Sequence, residues 1–412
     1  MRLLHVIPSI SPSRGGPTHA VLQTAKHLRR LGIDAQIATT NDNGPAATLD
    51  VPLNRRTEYK GVPVYFFPRF SSPLSKVRFN ADKAFLFSPE MTQWLWKAID
   101  NYDVLETRYL FSYASSCARV MAQLKSVPYV VHPTGQLTEW ALAQSPRKKK
   151  LYSLLLERRN LNRAAAIQCS TAGEVEDVKR FGVKAPTFTV PVGVTPPPLL
   201  PQAKADLRHR YKIAAETSII LFISRLHRKK RPELMIESVR KIINQGADCH
   251  LILAGTGEPA YVSRLKSMIN ELGISHRVTF TGFVEGTDKD RLFQGADVFA
   301  LPSFSENFGV VVVEAMTAAL PVVVTPGLHL SHEIREANAG MVVEGDVDSL
   351  SNAIRQLIEF PELRQQLGER GRQVAAERYA WDAIAQKLFS VYSSIYKRGY
   401  WIEKPPVSIL NL

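Results

Sequence analysis

The stretch VFALPSFSENFGVVVVEAM, residues 298–316, decides the fold class. Four apolar residues at 298–301 read as a buried strand. Pro302 then turns the chain, a polar loop follows, and Gly309 opens onto four valines suited to a helix packed into a core. Strand, loop and helix in so short a span form the unit of a parallel sheet with crossover helices. Two acids interrupt it: Glu306 in the loop and Glu314 in the apolar helix. At ~100° per residue their spacing rotates them by only ~80°, so both can face one site. The loop stands at the C-terminal edge of a strand, where open α/β sheets bind ligands, and carboxylates there accept hydrogen bonds from paired hydroxyls such as those of a ribose or hexose.

The same unit recurs along the chain. Strands are expected at 3–7, 35–39, 62–67, 104–107, 129–132, 165–169 and 187–190, with helical patterns at 18–31, 83–99, 113–124 and 148–161. A second series of strands follows at 219–223, 250–254, 278–281, 298–301, 322–325 and 341–343. A chain of 412 residues is too long for one ordinary core. The expected fold class is therefore α/β, with two doubly wound Rossmann-like domains facing a cleft. The proline-rich GVTPPPLLPQ at 193–202 reads as their semi-rigid linker. The domains expected are 1–195, 196–380, and a C-terminal segment 381–412 whose helix crosses back onto the first domain before a loose tail.

Composition narrows the function. Hydrophobic residues make up 45% and charged residues 22%, the balance of a soluble globular protein. The longest apolar runs fall far short of the ~20 residues of a membrane span. The N-terminal MRLLHVIPSISPS, broken by Pro8, reads as a buried strand rather than a signal peptide. Cys117, Cys169 and Cys249 are widely spaced with no CxxC, which points to a reducing compartment, the cytoplasm by default. The net charge of +14 favours an anionic partner. Basic residues are densest at 146–163 and again at 225–231. Nucleic acid is set aside, because no recognised module and no interleaving of aromatic with basic residues is present.

Three loops hold the candidate chemistry. Gly15–Gly16 follow the first strand and lead into a helix, a pattern that lets backbone approach an anion but also serves ordinary turns; it is not GxGxxG. Arg225 and Lys230 follow strand 219–223 and precede a helix opened by Pro232, an arrangement suited to a diphosphate. Glu306 and Glu314 form the third. Thr171-x-x-Glu174 is a capping box, which accounts for that acid. Asp288-Lys-Asp290 and Asp346-Val-Asp348 read as helix caps, and His329 and His332 lack a third ligand, so no metal and no cofactor are expected.

The spacing of Glu306 and Glu314, with Asn307-Phe308-Gly309 between, resembles the nucleotide-sugar site of the GT-B retaining glycosyltransferases of family 4, the group 1 glycosyltransferases. Matching motifs run the length of the chain: RGG at 14–16, HPTGQLTEWAL at 132–142, CSTAGEVEDV at 169–178, PVGV at 191–194, SRLHRKK at 224–230, LAGTGE at 253–258, FTGFV at 280–284, LPSFSENFG at 301–309 and ERYAWDAIA at 377–385. The resemblance implies that Glu314 holds the ribose hydroxyls and Glu306 the donor sugar, with Phe308, Gly309 and Val310 touching sugar and phosphate through their backbone. It implies Arg225 and Lys230 on the diphosphate, Gly16 approaching it from the other domain, Phe283 and Val284 flanking the base, and His132 facing the transferred sugar or acceptor. Arg231 stands where the family usually has glycine, Val192 where it usually has asparagine, and Glu106 where histidine is common. Glu106 and Arg108 are thereby expected on the acceptor side.

The function so implied is retaining transfer of a hexose from a UDP- or GDP-sugar to a glycan or lipid-linked acceptor, in envelope or exopolysaccharide assembly. The basic segment 146–163 would then rest on an anionic membrane surface, at the inner face of the membrane. The alternatives are a soluble enzyme using a sugar-phosphate acceptor, as in sucrose-phosphate or trehalose-phosphate synthesis, and a nucleotide-sugar epimerase.

Overall fold

A computed structural model of the chain describes residues 1–44, 47–70, 86–144, 152 and 156–398. The chain divides into two units, Met1–Gly193 with Trp381–Leu412, and Val194–Ala380.

The strands of the first unit are β1 (Arg2–Ser9), β2 (Asp34–Thr40), β3 (Arg56–Tyr59), β4 (Val62–Phe67), β5 (Val104–Arg108), β6 (Tyr129–His132), β7 (Ala166–Cys169) and β8 (Thr187–Thr189). They form one sheet in the order β3-β4-β2-β1-β5-β6-β7-β8, parallel except at the β3–β4 hairpin. Side chains alternate faces along each strand, so β1 sends Leu3 and Ile7 into one core and Leu4 and Val6 into the other. Helices Gly16–Arg30 and Trp381–Arg398 cover the first face through Val21, Leu28, Trp381 and Leu388. Helices Pro89–Ala98, Tyr113–Leu124 and Ala172–Arg180 cover the second through Met91, Leu95, Ala118 and Val178. Gly193 makes room for the C-terminal helix, since a Cβ there would lie 2.4 Å from the Trp381 ring.

Two helices differ from their expected bounds. The one expected from residue 83 begins at Pro89, where Ser88 Oγ accepts from the Met91 N–H at 3.4 Å and proline fits the first turn; residues 83–85 lie outside the described part. Half of the basic segment 146–163, and with it half of the helix expected at 148–161, lies outside the described residues, and the described portion includes the helix Arg158–Asn162.

The second unit contains β9 (Ser218–Ile223), β10 (Cys249–Ala254), β11 (Val278–Gly282), β12 (Val298–Leu301), β13 (Val322–Val324) and β14 (Met341–Val342). All are parallel, in the order β11-β10-β9-β12-β13-β14. The order reverses between β9 and β12. The proline-rich segment is anchored to this unit: the Leu200 N–H donates to Gln294 Oε1 at 2.8 Å and Gln294 Nε2 donates to the Pro198 carbonyl at 2.9 Å. Among the described residues, no helix is long and apolar enough to cross a membrane.

Candidate functional site

Where the strand order of an open parallel sheet reverses, the connections leaving the two adjacent strands run to opposite sides and leave an opening over the carboxyl edge. In the second unit that opening lies above β9 and β12, whose following loops carry Arg225–Lys230 and Glu306–Gly309. The two loops meet there. Lys230 Nζ forms an ion pair with Glu306 Oε2, the side chains being 11% and 18% exposed. Burial, then the charges of Lys229 and Arg225, push the Lys230 ammonium down from its usual range. Arg225 is exposed, and among the described residues no hydrogen bond or ion pair holds its guanidinium. Among the described residues, the two loops thus present one unengaged cation and a second with a single ion-pair partner, Glu306.

The backbone fixes this arrangement. The Glu306 N–H donates to the Gly327 carbonyl at 2.8 Å, and the Glu306 carbonyl accepts from the His329 N–H at 3.0 Å, a strand-like strap. Gly309 caps the helix Val310–Thr317 with φ +74°, and a Cβ there would stand 2.6 Å from Leu328 Cδ1 and 3.3 Å from Glu306 Cγ. Both conformation and space therefore demand glycine. Phe308 is 4% exposed and packs edge-on against Tyr379, ring centroids 5.6 Å apart. Asn307 Oδ1 is buried with no hydrogen-bond partner, an acceptor left for a donor group. Behind the loop after β9, Gly255 with φ +135° lets Ser224 pass, since a Cβ would fall 1.9 Å from the Ser224 carbonyl oxygen.

Glu314 lies in the helix Val310–Thr317, half-buried, and Lys289 Nζ donates to its Oε1 at 2.7 Å. Lys289 comes from helix Gly286–Gly295, directly after the exposed Phe283 and half-buried Val284. Sequence reading missed Lys289, because nothing local marks a lysine whose partner comes from the next crossover. Asp346 caps its helix as expected, accepting from the Ser349 N–H at 2.7 Å. Asp288 does not cap; it sits inside the first turn and pairs with Arg210 and Arg291, each at 2.8 Å.

In the first unit, Gly15, φ +82°, caps helix Gly16–Arg30, whose first turn holds no acid. Glu106 and His132 lie on strands expected from the sequence, His132 at the end of β6, and β5 runs one residue further than expected to take in Arg108. Glu106, within β5 and fully buried, lies directly across from His5 of β1; its carboxylate contacts His5 Nδ1 and lies 3.0 Å from Arg108 Nε. Burial alone would raise its pKa, but Arg108 and His5 outweigh that and hold it well below the carboxylate range. His132, the register partner of Arg108, is 2% exposed, and its Nε2 lies 2.9 Å from Ser170 Oγ. Burial and then Arg108 push its imidazole down to about 3, against Glu106, so it is neutral. Glu174 does more than complete a capping box: it accepts from Ser170 N–H at 2.7 Å and Gly135 N–H at 2.6 Å, joining the loops after β7 and β6.

Two family profiles match the chain, "Glycosyl transferase 4-like domain" over residues 15–193 and "Glycosyl transferases group 1" over residues 203–374. The chain belongs to the group 1 glycosyltransferases. It is 25% identical over 421 residues to a D-inositol 3-phosphate glycosyltransferase of Xylanimonas cellulosilytica, covering 97% of each chain. Among solved structures, it resembles the Anabaena protein HepE in complex with UDP and glucose, with TM-score 0.76 and 22% identity over 96% of this chain and 100% of that one. Sucrose-phosphate synthase of Thermosynechococcus elongatus gives TM-score 0.77 at 21% identity, over 97% of this chain and 100% of that one. These likenesses establish the GT-B fold for the two α/β units.

Against the family pattern, Arg231 occupies a left-handed conformation with φ +56°, which is why glycine suits the position. Val192 packs against the first-face core of the N-terminal unit, where an apolar side chain is accommodated. Glu106 is answered by His5 and Arg108 from within the sheet.

Proposed function

We propose that this glycosyltransferase transfers a hexose, with retention of anomeric configuration, from a nucleotide diphosphate sugar bound at the order reversal of the second unit's sheet. The observation that carries the reading is the meeting of Lys230 and Glu306 from loops on either side of that reversal. Arg225 and Lys230 take the diphosphate, Glu306 is released to the sugar hydroxyls, and Glu314 takes the ribose hydroxyls. Phe283 and Val284 flank the base, and Asn307 with the backbone at Phe308, Gly309 and Val310 lines the sugar and phosphate. UDP is the first donor nucleotide to test, because a protein of similar fold holds UDP and glucose.

The acceptor hydroxyl attacks the anomeric carbon on the face the diphosphate leaves, and a phosphate oxygen receives its proton. The C–O bond to the diphosphate breaks as the new glycosidic bond forms, and the charge that builds on the leaving group is met by Arg225 and Lys230. Donors placed in advance for such charge contribute roughly 2.7–4 kcal/mol each. The reaction needs no protein nucleophile and no metal. The acceptor is a hydroxyl of a glycan or lipid-linked glycan in envelope or exopolysaccharide assembly, and the net charge of +14 supports a working position at the cytoplasmic face of an anionic membrane. The second reading, a sugar-phosphate acceptor, is supported by the fold shared with sucrose-phosphate synthase and the full-length likeness to an inositol-phosphate glycosyltransferase.

The test incubates the protein with UDP-, GDP- and ADP-sugars and either lipid-linked glycans on anionic vesicles or soluble sugar phosphates, and reads the anomeric configuration of the product by NMR. An α-linked product from an α-donor supports the proposal, and the productive acceptor chooses between the readings. An inverted product, or a donor epimerised without transfer, overturns it.

A further inference from the structure

Arg231 stands between two residues with evident duties. Lys230 before it pairs with Glu306, and Pro232 after it opens helix Pro232–Asn244. Its own backbone is left-handed, φ +56° and ψ +50°, a conformation that crowds the Cβ of any residue but glycine. Strain of this kind persists only where the surroundings impose it, and it collects at functional sites. The reason to keep arginine here lies in the side chain.

The guanidinium lies over the Phe304 ring, Cζ 4.3 Å from the centroid, while Nη2 donates to the Gly345 carbonyl at 2.5 Å. The guanidinium sits close against Gly345, where a Cβ would fall 2.2 Å from Arg231 Nη1 and displace it. Phe304 is 58% exposed, so the ring is not held by a core; what fixes it is the guanidinium and the bond from its N–H to the Lys229 carbonyl at 2.9 Å. One side chain thus fastens the connections after β9, β12 and β14 to one another. The residues it fastens adjoin the two that bind: Arg231 follows Lys230, and Phe304 lies two before Glu306.

We propose that Arg231 is a positioning residue for the donor, a strut that sets the Glu306 loop at the correct height against Lys230 by gripping Phe304 and Gly345. The inference rests on the donor site proposed above and deepens it. Without the strut, diphosphate and sugar ligands remain present but sample more than one separation. The loss therefore appears in donor affinity, and more for a nucleotide sugar, which spans both loops, than for the bare nucleotide, which engages chiefly Lys230.

The test measures dissociation constants of UDP and UDP-glucose, with GDP and ADP and their glucose conjugates as further probes, for the wild type, Arg231→Gly, Phe304→Ala and the double variant, alongside each melting temperature. Arg231→Gly relieves the strained backbone and is expected to melt within a few degrees of the wild type. Its affinity for the nucleotide sugar is expected to fall about five- to tenfold, and for the bare nucleotide about twofold. Phe304→Ala should give a similar loss, and the double variant should be no worse than the worse single one, because both remove one contact. Unchanged affinity in Arg231→Gly overturns the strut. So does a loss in Arg231→Gly with none in Phe304→Ala, or losses that multiply in the double variant, since either makes Arg231 a direct ligand. If no nucleotide binds the wild type, the donor-site reading fails, and the strut falls with it.

Discussion

In the N-terminal sheet, His5, Glu106, Arg108 and His132 point from the middle or last residues of three strands toward one face, with side chains no more than 3% exposed. In the C-terminal unit, Lys230, Glu306, Lys289 and Glu314 stand on loops and helices beyond or between the strands, 11% to 28% exposed. The groups are chemically alike. What separates them is position along the strand: a charge inside a parallel strand is enclosed by the neighbouring strands and the covering layer and must be neutralised there. A charge past the carboxyl end can exchange its protein partner for a ligand at little cost in desolvation. The first set is built as a core, and the second has the exposure that the proposed donor site requires.

The sharpest way to break this comparison is to remove one acid from each. Glu106→Ala strands Arg108 and His5 without a counter-charge in the interior, and is expected to lower stability by roughly 3–5 kcal/mol in denaturant unfolding. Glu314→Ala, at a half-exposed pair, should cost about 1 kcal/mol or less while abolishing nucleotide binding. Equal stability losses in the two variants would erase the distinction.

Next in size, Arg225→Ala and Lys230→Ala are each expected to reduce kcat/KM on the nucleotide sugar by about a hundredfold or more, with far-UV circular dichroism and melting little changed. A variant that loses activity only by unfolding would return that cation to the structural set.

A third effect concerns pH. His132 has its imidazole depressed to about 3 by burial and Arg108, against an ordinary value of 6.5. The unfolded chain therefore binds a proton at this residue over a range in which the folded chain does not. The stability contributed by the neutral buried imidazole is complete above pH 6.5 and is lost progressively as pH falls toward 3, at up to ~1.4 kcal/mol per unit. His132→Gln, which can still hydrogen-bond Ser170, should flatten the slope of melting temperature against pH between 6.5 and 4. His250, depressed to about 4 and mainly by burial, remains to give the residual slope.

Much of this was legible in the sequence because parallel strands buried on both faces read as continuous apolar runs. Strand β3 was not, since RTEY has no such run and lies at an edge, where charged side chains are favoured. Its signal was the turn: Lys60 and Gly61 both have positive φ, 51° and 78°, between the paired Tyr59 and Val62, as a two-residue hairpin demands. Glu306 and Glu314 were found because loop position and spacing are local features. The burial of Glu106 against His5 was not legible, because His5 lies on another strand and leaves no trace in the local pattern. Lys289 and Arg231 escaped for the same reason, their partners being 25 and 114 residues away.

The central claim is that the switch point of the second unit binds a nucleotide diphosphate through Arg225, Lys230 and Glu314. The most direct measurement is calorimetric titration of UDP, GDP and ADP into the wild type and Glu314→Ala, with thermal unfolding in parallel. One nucleotide should bind the wild type and, at a hundred times its dissociation constant, stabilise it by ~2.7 kcal/mol, while the variant shows neither effect. Binding of equal strength to both proteins, or of none of the three to the wild type, would contradict the account.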